Sequence, residues 1–146
     1  LQNACVNVTA VEDTPTQTYA ISNEPRIAPG TDKLGTVEAI DVATGRTVWK
    51  YEQRAGTMSL VATGGGLIFG GDAAGKFRAF DQSNGKILWE VNLGSPVTGY
   101  PITYSVSGKQ YVAVSVGNSL VSTGLNRLTP EIKASNSSAI FVFALE

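Results

Sequence analysis

Apolar and polar residues alternate along most of this chain in short runs, and turn residues rich in Gly, Asn and Ser separate the runs. A period of two marks half-buried strands, and no stretch carries the spacing of an amphipathic helix. Strands are predicted at Thr36 to Asp41, Thr47 to Tyr51, Ser59 to Ala62, Leu67 to Gly70, Lys76 to Phe80 and Lys86 to Val91. The turns Ala43-Thr44-Gly45, Gly64-Gly65-Gly66 and Ser83-Asn84-Gly85 join them in pairs, because Gly and Asn-Gly accept the positive φ of tight hairpins. Between residues 58 and 92 the strands form one antiparallel meander, the size of a propeller blade. Pro101 to Tyr104, Gln110 to Val116 and Ala139 to Leu145 continue the template, interrupted by a loop from Gly117 to Ser138. An earlier strand is predicted around Leu1 to Val8. Glu12 to Lys33 carries Pro15, Pro25 and Pro29 and reads as a long surface loop.

The sequence also repeats. Ala39, Asp41, Gly45 and Trp49 return forty residues later as Ala79, Asp81, Gly85 and Trp89. A repeat of that length with strand-like flanks indicates stacked or radial β-units, since one small sheet cannot bury its own faces. The predicted fold is all-β, with antiparallel four-stranded blades forming part of a β-propeller over a single domain, 1–146. A complete blade at 58–92 lies between incomplete blades at 1–52 and 100–146. Two or three blades cannot close a ring, so the remaining blades are expected in the same polypeptide or in another chain. An open solenoid is the alternative. Within the repeat, Gly45 and Gly85 permit the turn, and Asp41 and Asp81 cap its backbone N–H groups. Trp49 and Trp89 are expected to wedge between neighbouring blades while each indole N–H finds a partner. The two aspartates could also serve as a catalytic pair, but each arrives with the same turn and the same Trp, which favours a structural role.

Composition narrows the chemistry. Lys+Arg 11 against Asp+Glu 12 gives a net charge of −1, without the basic surplus that a phosphate backbone requires, so no nucleic acid is expected. The apolar runs fall far short of a membrane span. Cys5 is the only cysteine, so no disulfide can form within the chain. With no His, the commonest general base and transition-metal ligand is missing. Catalysis would have to come from carboxylates, a bound cofactor, or residues outside this chain.

The pattern Ala-x-Asp-x-x-x-Gly-x-x-x-Trp resembles the tryptophan-docking motif of the pyrroloquinoline quinone (PQQ) dehydrogenases, which are eight-bladed propellers. Leu60 to Asp72, Lys76 to Asp81, Pro101 to Tyr104, Gly108 to Val114 and Phe141 to Leu145 resemble the same family. Gln2-Asn3-Ala4-Cys5 is similar to a strand end that approaches its quinone. The resemblance implies the C-terminal segment of a periplasmic or secreted PQQ-dependent alcohol or sugar dehydrogenase, contributing scaffold and part of the cofactor-pocket wall. It further implies PQQ above a Ca²⁺ or lanthanide held mainly by residues outside this chain, a small alcohol or sugar substrate, and a cytochrome c electron acceptor. The family's catalytic Asp, metal-binding Glu and Asn, and paired cysteines belong to earlier blades, so no catalytic or metal-binding residue is assigned here.

Candidate wall residues follow from that resemblance. Asn3 could donate its amide to a quinone carbonyl, or sit in a turn facing water. Thr57 and Ser59 could offer hydroxyls to the axial pocket, or simply begin a strand; Thr57-Met58-Ser59 stands where several relatives carry a Trp. Asn118 follows an apolar strand, where the chain could pass close to a ligand. The alternative to an enzyme is a non-enzymatic propeller with the same repeats that binds protein partners, like the outer-membrane assembly lipoproteins.

Overall fold

The computed structural model describes residues 2–13 and 18–144. In chain order the elements are β1 (Ala4–Asp13), β2 (Thr18–Ile27), β3 (Gly35–Ile40), β4 (Thr47–Gln53), β5 (Thr57–Ala62), β6 (Leu67–Asp72), β7 (Lys76–Asp81), β8 (Ile87–Asn92), β9 (Ile102–Val106), β10 (Lys109–Val116), α1 (Leu120–Arg127) and β11 (Ala139–Ala144). They form an antiparallel four-stranded sheet in the order β5-β6-β7-β8, a three-stranded sheet β11-β10-β9, and two two-stranded sheets, β3-β4 and β1-β2. The forty-residue repeat holds in backbone detail. Ala39 faces Trp49 and Ala79 faces Trp89, and each pair is followed by a register shift at the next residue.

Two expectations are corrected. The stretch expected as a loop from Glu12 to Lys33 is largely one arm of a hairpin, with β1 and β2 paired from Ala4↔Ile27 to Asp13↔Thr18. Prolines suggested a loop, yet Pro25 lies within β2 opposite Val6. A two-stranded ribbon has an open edge on both sides, where a missing N–H costs nothing. Pro15 lies outside the described residues. The second correction is α1, placed where no helix was expected. Ser119 caps it, accepting from the Ser122 amide while the Ser122 hydroxyl accepts from the Ser119 amide. That reciprocal cap is normally signalled by Glu or Gln at the third helical position, and Gly124 further weakens the local propensity.

The main core lies between the four-stranded and three-stranded sheets, where Phe69, Phe77, Val97, Val112 and Val114 are buried. Phe77 is its centre, with ring centroids 6.1 Å from Phe69, 6.0 Å from Trp89 and 6.0 Å from Phe143. Burying one such ring contributes roughly 2–3 kcal/mol. Val97 reaches this core from the loop between β8 and β9 because Gly71 leaves room. A Cβ on Gly71 would lie 2.2 Å from Val97 Cγ1.

Sheet topology also decides where the irregular segments go. The starts of β5, β7 and β9 and the ends of β6, β8 and β10 share one edge of their sheets. The linking loops at 53–57 and 92–102 lie on that edge. So do the two long insertions, residues 3–34 ahead of β3 and 117–138 between β10 and β11. Each stands where the four-stranded sheet has only the tight turn from Asp72 to Lys76. Both long insertions therefore rise from the same face as the linking loops.

Candidate functional site

The repeated device is a joint between units. Asp41 Oδ1 accepts from the amides of Ala43 and Thr44 at 2.9 and 2.8 Å, and Asp81 Oδ1 accepts from the Ser83 amide at 2.8 Å. These donors hold both carboxyls below the ordinary 3.8: the Thr44 amide is the largest cause for Asp41, the Ser83 hydroxyl for Asp81. Gly45 and Gly85 complete the turns with φ of +68° and +72°. Trp49, only 9% exposed, lies flat against Gly85, and its indole N–H donates to the Gln82 carbonyl at 2.9 Å. The tryptophan of one unit thus seats on the turn of the next. Trp89 lies between its own sheet and the next, but with less cover than Trp49. It packs edge-on against Phe77 and Phe143 and remains 38% exposed. The turn equivalent to its seat would follow β11, outside the described residues.

Asn3, Thr57 and Ser59 all lie toward the loop-bearing face, and two of them belong to one hydrogen-bonded chain. The Asn3 amide donates to the Lys33 carbonyl at 3.0 Å and to Thr36 Oγ1 at 2.9 Å. Thr57 Oγ1 donates to the Thr36 carbonyl at 3.5 Å and accepts from Gln53 Nε2 at 3.4 Å, while Gln2 Nε2 donates to the Thr57 carbonyl. Ser59 is buried separately, donating to the Gly99 carbonyl at 2.8 Å and so tying β5 to the loop that leads into β9. Asn118 is not brought to the other three. It is exposed in the second insertion and donates to Asn136 Oδ1 at 2.5 Å.

Two arginines that the sequence reading did not single out organise the same face. Arg78 is 4% exposed, and its guanidinium donates to Asp72 at 2.8 Å, Gln53 at 2.7 Å and Glu90 at 2.6 Å, lying over the Tyr51 ring. Burial opposes its charge, but Asp72 and Glu90 more than compensate and raise its pKa. Glu90 is affected by the same balance: burial pushes its pKa up, and hydrogen bonds from Lys76 and Arg78 bring it below the ordinary 4.5. Arg54, in the β4–β5 loop, spreads its three nitrogens over both insertions. A buried Arg needs a complete fork of acceptors. Arg54's partners in the second insertion are remote along the chain, and Gln53 lies 25 residues from Arg78, whereas Glu90 is Arg78's cross-strand partner in the β7–β8 hairpin.

These contacts decide how the residues could meet a quinone. PQQ is a planar ortho-quinone bearing carboxylates, and it would need free donors. Both amide hydrogens of Asn3 and the hydroxyl hydrogen of Ser59 are directed to oxygens of the chain itself. Among the described residues, no three His, Cys, Asp or Glu side chains come together as a metal-binding group. As arranged here, Asn3 and Ser59 do not fit as free donors to a quinone, and the described residues hold no cluster of carboxylates that fits a metal's ligand set.

The chain is similar to known proteins along most of its length. Residues 53–112 match the family described as PQQ: glucose/ethanol/alcohol dehydrogenase, beta-propeller domain. The quinoprotein alcohol dehydrogenase PedE of Pseudomonas putida is 40% identical over 87 residues, covering 59% of this chain and 14% of that protein. The dehydrogenase subunit of the alcohol dehydrogenase (quinone) of Acetobacter aceti is 43% identical over 95 residues, covering 64% of this chain and 13% of that protein. Among solved structures, a europium-containing methanol dehydrogenase superposes with a TM-score of 0.84 at 29% identity, over 99% of this chain and 30% of that one. The matched segment therefore spans about a seventh of the curated relatives' length. A partner-binding scaffold is not favoured by these similarities. The docked Trp49 turn, the four-stranded blade and the matched segment agree: over residues 53–112 this chain is similar to the β-propeller domain of the PQQ glucose/ethanol/alcohol dehydrogenases.

Proposed function

We propose that this chain supplies the last blades of an eight-bladed, periplasmic or secreted alcohol dehydrogenase, and forms part of the wall around its PQQ. The observation that carries the reading is the seating of Trp49 on the Gly85 turn, combined with the superposition on a methanol dehydrogenase. When bound, the quinone supplies two-electron oxidation of an alcohol or sugar; a Ca²⁺ or lanthanide and the quinone's donors come from other blades. This chain's part is mechanical. Ser59 fixes β5 to the β8–β9 loop, Asn3 and Thr57 fix the first insertion to the β4–β5 loop, and the loops exclude water from that side. Electrons leave to a cytochrome c, the acceptor named for the 1-butanol dehydrogenase (cytochrome c) of Thauera butanivorans and the methanol dehydrogenase (cytochrome c) subunit 1 of Methylobacterium organophilum.

The apolar cleft of about 730 Å³ between Leu67, Ala79, Trp89, Val112, Val142 and Phe143 is the seat for a neighbouring unit. Trp49 shows what fills such a seat: a glycine turn that accepts the indole N–H. The test is a chimera in which this chain replaces the matching segment of the Acetobacter aceti dehydrogenase subunit. The expected result is a monodisperse protein that binds PQQ, with the quinone absorbance, and reduces an artificial acceptor with ethanol. A folded chimera that takes up no quinone would overturn the reading.

A further inference from the structure

We infer that Arg54 is a coupling residue that binds the two long insertions into one roof over the loop-bearing face. The inference needs no quinone. Arg54 Nη1 donates to the Asp32 carbonyl at 2.7 Å, Nε to Glu131 Oε1 at 2.5 Å and Nη2 to the Leu128 carbonyl at 3.3 Å. One guanidinium thus reaches the first insertion at residue 32 and the second at residues 128 and 131. Its own backbone carbonyl accepts from the Leu34 amide at 3.3 Å, so the segment 32–34 is held twice by this residue. On its other side the same segment is held by Asn3, whose amides donate to the carbonyls of Lys33 and Leu34.

The second insertion is pressed onto the same loop. Gly56 lies under the α1 side chain Leu125, and a Cβ there would stand 2.6 Å from Leu125 Cδ1. The guanidinium is about one-third exposed and Glu131 about half exposed, so the ion pair itself contributes little. What distinguishes Arg54 is geometry. A planar fork with five N–H donors can satisfy acceptors on two segments at once, and a Lys ammonium on a flexible stem cannot hold that fixed fork. Arg54 alone among the described side chains donates hydrogen bonds to both insertions. Glu131 responds to the fork: the Arg54 hydrogen bond holds its carboxyl below the ordinary 4.5.

Coupling makes a demand that separate anchoring does not. A change at Glu131, which touches only Arg54 by side-chain bonds, must reach the amide of Leu34 in the other insertion. Hydrogen–deuterium exchange of the full chain reads this directly, with Leu34 reporting the first insertion and Leu128, Thr129 and Ile132 reporting the second. Arg54→Lys should speed exchange at all four amides by about tenfold, the scale of a lost hydrogen bond to a charged group, and leave the β6–β7 amides unchanged. Glu131→Gln should speed Leu34 as well, by a few-fold, and add nothing in the Arg54→Lys background. Should Arg54→Lys loosen the whole fold, Glu131→Gln decides alone, since it alters only a surface carboxylate. If Glu131→Gln leaves Leu34 at its wild-type rate while the second insertion speeds up, the insertions are independent and the inference fails. This outcome is separate from any result on quinone binding by the chimera.

Discussion

Trp49 and Trp89 occupy the same place in two copies of one sequence device, yet one is sealed and the other half open. Both face an alanine across the strand pair, and both follow the same kind of backbone irregularity in register. The difference lies in the neighbour. Trp49 has the Asp81–Gly85 turn beneath it and the Gln82 carbonyl at its N–H, whereas Trp89 borders an apolar cleft with Phe77 and Phe143 at its edges. The device is therefore bipartite: one unit supplies a flat indole, the next supplies a carbonyl and a side-chain-free turn. A tryptophan in this motif gains its full burial only when two successive units are present.

The largest expected effect tests that inequality. Trp49→Ala removes a buried ring and a hydrogen bond, and should lower the unfolding free energy by about 3–5 kcal/mol. Trp89→Ala removes a ring already part-solvated and should cost about 1–2 kcal/mol. Urea titration of the two variants checks this, and similar losses would show that both indoles are equally seated. Acrylamide quenching reads the same contrast without perturbing the core. Fluorescence from Trp89, isolated in a Trp49→Phe protein, should be quenched more steeply than that from Trp49 in a Trp89→Phe protein.

The glycines sharpen the comparison from the opposite partner. Gly45 and Gly85 share a left-handed conformation, so alanine at either costs the αL penalty of about 1–2 kcal/mol. Only Gly85 has an indole against it, with a Cβ placed 2.4 Å from Trp49 Cε3, whereas Gly45 has nothing within 4 Å. Gly85→Ala should therefore cost about 2 kcal/mol more than Gly45→Ala, since Trp49 must leave its seat. Thermal melts of both variants measure the gap. A gap near zero would mean that the indole is loosely held.

These contrasts also explain what could be read in the sequence. The hairpins from β3 to β8 were legible because their information is local: Asp81, Ser83, Asn84 and Gly85 specify a turn among themselves. The family resemblance was legible for the same reason, since the docking repeat is a short pattern. The β1–β2 ribbon was hidden by prolines, whose missing N–H is harmful only inside a sheet. Helix α1 was hidden because its cap uses two serines rather than an acidic partner. Asn3 and Ser59 were recognised as polar groups on the right face, but nothing in the sequence says which oxygen each amide or hydroxyl will choose. Arg54 and Arg78 were missed outright. Glu131 lies 77 residues from Arg54, and no spacing rule reaches that far; Glu90 faces Arg78 across the β7–β8 hairpin, but nothing local shows that Gln53, 25 residues away, completes the fork and buries it.

The smallest effect concerns the carboxylates that close the two turns. Asp41 and Asp81 both have folded pKa values below the ordinary 3.8, Asp41 chiefly through the Thr44 amide and Asp81 chiefly through the Ser83 hydroxyl. A carboxylate with a depressed folded pKa stabilises the fold above its unfolded value, and that contribution disappears as the pH falls through the folded one. Asp41→Asn and Asp81→Asn should therefore each lower the melting temperature at pH 7. Each difference from the wild type should narrow as the pH drops below 3.8. The two variants should not be equal, because the Asp81 turn also carries Trp49 while the Asp41 turn carries no indole among the described residues. Melts at neutral and acid pH decide this: a larger loss for Asp41→Asn, or a difference that persists unchanged into acid, would break the link between the carboxylate cap and the seat it builds.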